Sequence, residues 1–283
     1  MPRIIFALCI AFTGIYQLNA QTNSAWFTAR ELAENVWLID DHNAVNIYLI
    51  EGQDASLVID TGLGAADLFS QIRDLTTKPL IVVNTHAHPD HSGANYQFKK
   101  VYVHAADSSN ARNFGMPTQQ GGASMMTGGQ VPEKDELFTR EPIFTRLAPV
   151  AEGHIFDLGD RRIQVMETPG HTPGGICLLD IENKLLFTGD NNNILVWLFL
   201  EGCSPLHEYL ETLEKQKQRF SEFDTLYPGH GIPVSKDFIN DQIACVKGIL
   251  DGTCESEPYE SFAGTASVCT WGRASVAFDP DNL

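Results

Sequence analysis

The stretch Thr85-His86-Ala87-His88-Pro89-Asp90-His91 constrains this chain more than any other part of its sequence. Three histidines and one aspartate fall within six positions, directly after the continuous apolar run Leu80–Val83. A short, bounded apolar run of that kind reads as a strand covered on both faces. The cluster therefore sits where a loop leaves the end of a sheet. His86 and His88 are two apart, so on an extended loop both point the same way. Asp90 and His91 follow a bend set by Pro89 and aim at a neighbouring point. Neutral imidazole and carboxylate are donors that suit Zn2+.

The surrounding pattern alternates strands with helices. Val36–Asp40, Val45–Ile50, Leu57–Asp60 and Val101–Val103 read as strands, with a helix over Ala65–Leu75 that Pro79 stops. Arg162–Met166 reads as a further strand, and Ile176–Leu179 with Leu185–Phe187 as a hairpin. Ser204-Pro205 opens a helix, and Ser235 caps another that buries Ile239, Ile243, Val246 and Leu250. Thr225–Tyr227 is a short strand between them, and Cys269–Phe278 a terminal strand pair. Strands then helices recur in two halves, which predicts one α/β domain built as a two-halved sandwich. Residues 105 to 150 break the pattern, with Met116, Met125 and Met126 set among glycines. They are either a surface insertion or a lid whose methionines meet an apolar substrate.

Three further ligand-type residues stand at strand-to-loop junctions beside Gly or Pro. They are His171 in Pro169-Gly170-His171-Thr172-Pro173-Gly174, Asp190 in Phe187-Thr188-Gly189-Asp190, and His230 in Tyr227-Pro228-Gly229-His230-Gly231. Five of the nine histidines lie in these four motifs. His42, His104, His154 and His207 have no such setting and read as surface or core residues. The seven ligand-type residues are one more than two three-ligand sites need, as a carboxylate between two metals would make them.

This constellation, over roughly residues 30 to 250, resembles the metallo-β-lactamase-fold superfamily of hydrolases. The resemblance implies a four-layer αββα sandwich and two zinc ions per chain, with iron or manganese as alternatives. It implies His86, His88 and His171 on the first ion, Asp90, His91 and His230 on the second, and Asp190 between them. Asp60, in Val58-Ile59-Asp60-Thr61-Gly62, matches a buried Asp that orients the ligand loop in that family. The implied reaction is hydrolysis of an ester-like bond (lactone, thioester, phosphodiester or related) by metal-bound hydroxide, with Asp90 orienting it or relaying its proton. Asp190 looks more like the glyoxalase II and lactonase branches than true β-lactamases, where Cys or Ser is usual. A β-lactam hydrolase is one alternative, and a single-iron oxidoreductase similar to persulfide dioxygenases is another. A non-catalytic metal-binding protein is a third, against which the full set of ligand positions argues. The basic residues after His230 form no glutathione-holding cluster. Trp197 and Phe199, in the apolar run Ile194–Leu200, either wall a substrate pocket or pack as ordinary core.

Charge and the N-terminus narrow the partners. With 19 basic and 36 acidic residues the formal net charge is −17, which repels phosphate backbones and argues for a small-molecule substrate over nucleic acid. Arg3, the apolar run Ile4–Tyr16 and Leu18-Asn19-Ala20 have the layout of a secretory signal cleaved after Ala20. The run is too short for a membrane span. The mature chain, residues 21–283, is thus expected to be secreted or periplasmic, as a single domain with no stable membrane anchor. Export makes disulfides available to Cys177, Cys203, Cys245, Cys254 and Cys269. Cys254 with Cys269 is the expected pair, and Cys177, in an apolar run, the expected buried thiol.

Overall fold

The computed structural model describes residues 26–115 and 125–283. The expected secretory signal at residues 1–20 and Met116 lie outside the described residues. The first sheet takes its strands in chain order: β1 (Phe27–Ala33), β2 (Val36–Asp41), β3 (Val45–Glu51), β4 (Ser56–Ile59), β5 (Leu80–Val83), β6 (Lys100–His104) and β7 (Arg146–Val150). It is antiparallel up to β4 and parallel from there on. Parallel neighbours need crossovers, and these carry α1 (Leu68–Leu75), α2 (Pro89–Ser92) and α3 (Ser108–Phe114).

The chain then builds β8 (Ile155–Asp157), β9 (Arg162–Glu167), β10 (Ile176–Asp180) and β11 (Leu185–Gly189) of a second sheet. It leaves that sheet for β12 (Leu195–Leu198) and α4 (Leu206–Gln218), and returns with β13 (Thr225–Pro228) and β14 (Val234–Ser235). The second sheet runs β14-β13-β11-β10-β9-β8. After α5 (Phe238–Leu250), β15 (Glu257–Ser261), β16 (Gly264–Trp271) and β17 (Ala274–Phe278) join β12 in a third, smaller sheet ordered β12-β17-β16-β15.

The period of two along each strand sorts side chains into layers. Along β3, Val45, Ile47 and Leu49 face Leu68 and Ile72 of α1, whereas Tyr48 and Ile50 face the second sheet. Along β10, Ile176 and Leu178 meet the first sheet, whereas Cys177 and Leu179 meet α4 and α5 through Tyr209, Leu213, Ile239 and Val246. The result is the expected four-layer αββα sandwich, each buried Leu or Ile contributing about 1.5–3 kcal/mol. The third sheet packs on α5 through Cys269, Val276 and Phe278. Among the described residues no helix is long and apolar enough to cross a membrane.

Several local readings move. Helix α1 starts at Leu68, not Ala65, because Asp67 accepts a hydrogen bond from Ser70 N at 3.0 Å and caps it there. In α4 Pro205 is the cap residue itself and Ser204 Oγ is buried without a hydrogen-bond partner, so no hydroxyl caps this helix. Ser235 belongs to β14, and α5 begins after Asp237. Residues 105 to 150 are not structureless, since they hold α3 and β7. Cys254 and Cys269 form the expected disulfide, and Cys177 is a buried free thiol.

Candidate metal centre

The four motifs converge at one rim of the sandwich. The first sheet brings His86, His88, Asp90 and His91 on the loop and short helix after β5. The second brings His171 after β9, Asp190 at the end of β11 and His230 just beyond β13. Their donor atoms form three groups within 4.8 Å: His86, His88 and His171; His86, His91 and Asp190; and Asp90, His91 and His230. The first and third groups have the members expected from the motifs, and the second sets Asp190 beside His86 and His91, between them.

Hydrogen bonds set which nitrogen of each imidazole faces inward. His171 Nδ1 donates to the Trp197 carbonyl at 2.7 Å, and His230 Nδ1 to the Ala44 carbonyl at 2.6 Å. His91 Nδ1 donates to Asp60 Oδ2 at 2.8 Å. His86 Nδ1 lies 3.0 Å from Thr85 Oγ1, whose own proton goes to Asp60 Oδ2 at 2.8 Å. All four rings therefore turn Nε2 to the centre. There they meet more acceptors: Asp190 Oδ2 lies 3.4 Å from His171 Nε2 and 3.3 Å from His230 Nε2, and Asp90 Oδ2 lies 3.2 Å from His230 Nε2. His88 Nδ1 and His171 Nε2 approach to 2.8 Å.

Lone pairs held this close repel unless a cation stands among them. His86 Nε2, His91 Nε2 and Asp190 Oδ1 are buried with no hydrogen-bond partner, a costly arrangement in a bare protein. The donor set thus fits divalent metal. Burial, reinforced by neighbouring imidazoles, holds His86 well below the usual imidazole pKa and His88 at about 3, so both stay unprotonated donors. Burial also acts against charge on His230, but Asp190 and Asp90 outweigh it and raise its pKa to about 10.

Asp60 anchors the loop. It is buried at the end of β4 with φ 66°, a left-handed conformation uncommon for a residue with a side chain. Its Oδ1 accepts from Thr85 N at 2.7 Å, and its Oδ2 serves Thr85 Oγ1 and His91 Nδ1. Asp107, Asn191 and Asn193 do similar work and were not singled out in the sequence. Asp107 accepts from Ala87 N at 3.0 Å, Thr172 Oγ1 at 2.9 Å and Gly174 N at 2.9 Å, joining the two ligand loops. Asn191 Oδ1 accepts from His171 N at 3.0 Å and Asn193 Oδ1 from His230 N at 3.1 Å. The run Asn191-Asn192-Asn193 behind Asp190 was the available signal, because three buried amides need partners.

A cavity of about 580 Å3 opens on the cluster, reaching His88, Asp90, His171, Asp190 and His230. Met126, Leu195, Trp197 and Phe262 form part of its wall. Phe199 is not on that wall: its ring meets Trp197 at 5.3 Å and Tyr259 at 6.0 Å, bracing them.

Fold and donor cluster together define a hydrolase scaffold with a candidate metal site. The chain belongs to the metallo-beta-lactamase superfamily, whose family model matches residues 40–230. It is 30% identical to acyl-coenzyme A thioesterase MBLAC2 of Homo sapiens over 230 residues, 72% of this chain and 81% of that protein. It is also 30% identical to hydroxyacylglutathione hydrolase GloC of Haemophilus influenzae, over 136 residues, 47% of this chain and 59% of that one. Among solved structures, an archaeal metallo-beta-lactamase superfamily protein from Sulfolobus tokodaii aligns with TM-score 0.52 and 21% identity, covering 78% of this chain and 86% of that one. The sec-alkylsulfatase Pisa1 from Pseudomonas sp. aligns with TM-score 0.58 and 18% identity, covering 79% and 42%. These two likenesses concern the fold.

Proposed function

We propose that this chain is an exported, dinuclear zinc hydrolase that cleaves thioesters of apolar acyl groups. The observation that carries the reading is the apolar cavity opening directly on the ligand cluster. Relatives named as thioesterases at 30–33% identity favour the thioester among ester-like bonds. His86, His88 and His171 would hold one ion, Asp90, His91 and His230 the other, with Asp190 between them. Bound zinc supplies Lewis-acid polarisation and a water acidified to a pKa of about 7. Asp90, on the cavity wall, would orient the attacking water or relay its proton. Trp197 and the methionines exclude bulk water from the thioester. Asp60, Asn191 and Asn193 keep the imidazoles aimed. Export is supported by the N-terminal signal pattern and by the disulfide, which an oxidising compartment favours.

Elemental analysis of the full chain expressed with its leader tests the metal, and is expected to give about two zinc per chain. The same preparation is expected to hydrolyse acyl thioesters well above β-lactams, and its N-terminus to read Gln21. His86→Ala and Asp190→Ala are expected to lose both metal and turnover. One iron per chain with oxygen uptake would overturn the hydrolase.

A further inference from the structure

We infer that the cavity reads the acyl chain of its substrate and is indifferent to the carrier, so that thioesters on uncharged carriers are turned over as well as those on polyanionic ones. This rests on the thioester reading above and specifies what that site recognises.

The wall divides into two kinds of surface. The polar part is the ligand cluster itself with Asn193; the rest is Leu63, Met126, Trp197, Leu200 and their apolar neighbours. No Lys or Arg stands among the described residues that line the cavity, and residues 116–124 contain none either. Phosphorylated carriers are held by guanidinium, ammonium or helix N-termini. Here Asp90 and Asp190 are taken up by the ligand cluster, and the wall beyond it offers no guanidinium or ammonium. A nucleotide phosphate therefore finds no basic side chain on the wall to reward it.

The rim gives the opposite signal. Met125 is 61% exposed, Ile194 49% and Phe262 58%, and all three line the cavity mouth. Apolar side chains gathered around one opening mark a recognition surface. An aliphatic chain covers them and gains about three- to fourfold in affinity per methylene. The reaction balances with water alone. The carbonyl carbon gains an oxygen from water, its bond to sulfur breaks, the thiol leaves with a proton, and the acid gives its other proton to solvent.

The test uses the full chain with its metal and one acyl series, butyryl to octanoyl, on two carriers: coenzyme A and uncharged N-acetylcysteamine. Non-hydrolysable thioethers of the same series are measured for binding by calorimetry. We expect kcat/KM to rise on the order of a hundredfold from butyryl to octanoyl on both carriers. For a given acyl group the carriers are expected to agree within about threefold at any salt. Phe262→Ser is expected to flatten the slope while keeping its zinc. A coenzyme A preference of about tenfold or more that fades with salt would overturn the inference, as would a flat acyl series on either carrier. Chain-length-dependent thioether binding without any turnover would instead sink the thioesterase reading and leave the recognition intact.

Discussion

Gly229 shows how little room the centre leaves. A Cβ placed there would stand 2.3 Å from Asp190 Oδ1 and 2.7 Å from His91 Cε1. Gly229→Ala is therefore expected to displace two ligand residues. Zinc content should fall well below that of the parent chain, while the far-ultraviolet circular dichroism stays the same. Asp60 acts one bond further out. Asp60→Asn tolerates the left-handed backbone but loses an acceptor needed by Thr85 or His91. Its metal affinity is expected to drop about 10–100-fold, read by chelator competition. Asp41 makes a different statement, about pH. Burial raises its pKa from 3.8 to about 6, although Leu63 N and Trp26 Nε1 donate to it. A carboxyl whose folded pKa lies above its unfolded one contributes stability below about pH 4 and loses it as pH rises through 6. That contribution is on the order of 2–3 kcal/mol. Asp41→Asn is expected to remove this part of the pH dependence, so urea midpoints at pH 4 and pH 7 should lie closer together than in the parent.

At the scale of elements, one buried ion pair and one covalent link stand out. Arg161 Nε donates to Asp180 Oδ2 at 2.6 Å, and both side chains are buried where β9 meets β10. Arg161→Met strands the Asp180 charge and is expected to cost about 3–5 kcal/mol, measured by chemical denaturation; a loss under 1 kcal/mol would contradict the pairing. The Cys254–Cys269 disulfide spans 15 residues and pins the stretch after α5 to β16. Replacing both cysteines by Ser is expected to cost roughly 3 kcal/mol by closure entropy. Elements with clear periodicity were legible from sequence: β3, the β10–β11 hairpin and α5 run close to their apolar patterns. β7 was not, because Pro149 argues against a strand. The strand survives because β7 is the sheet's edge and pairs only with β6. The starts of α4 and α5 slipped for a related reason. Ser204 and Ser235 match a capping pattern, but Pro205 is itself the cap residue of α4 and Ser235 is taken up by β14.

In the whole molecule, the two sheets meet at the metal centre. His86, His88, Asp90 and His91 come from the first half, and His171, Asp190 and His230 from the second. Metal held by both halves, as proposed above, would bind the folded sandwich and not the unfolded chain. At concentrations about 100-fold above Kd it would stabilise the fold by about 2.7 kcal/mol. Chelation is expected to lower Tm by roughly 5–10 °C, and His86→Ala should abolish that difference. The motifs made this centre legible, since ligand-type residues beside Gly and Pro at strand ends announce themselves. The supports were harder to see. Asp107, Asn191 and Asn193 serve backbone amides that are adjacent only after folding. The cavity wall was harder still, because it joins β12 to a turn more than sixty residues later in the chain. Part of that wall lies outside the sandwich: Leu195 and Trp197 belong to the third sheet, and Phe262 and Ala263 to its β15–β16 turn. The third sheet is tied to the ligands at Trp197, whose carbonyl aims His171, but its β15–β16 turn lines the cavity and carries none of the ligand residues, and mutation there can explore the mouth without endangering the centre. Randomising residues 262 and 263 should yield variants with new substrate preferences and unaltered zinc stoichiometry, a library in which drift at the mouth is cheap and drift at the rim of the sandwich is not.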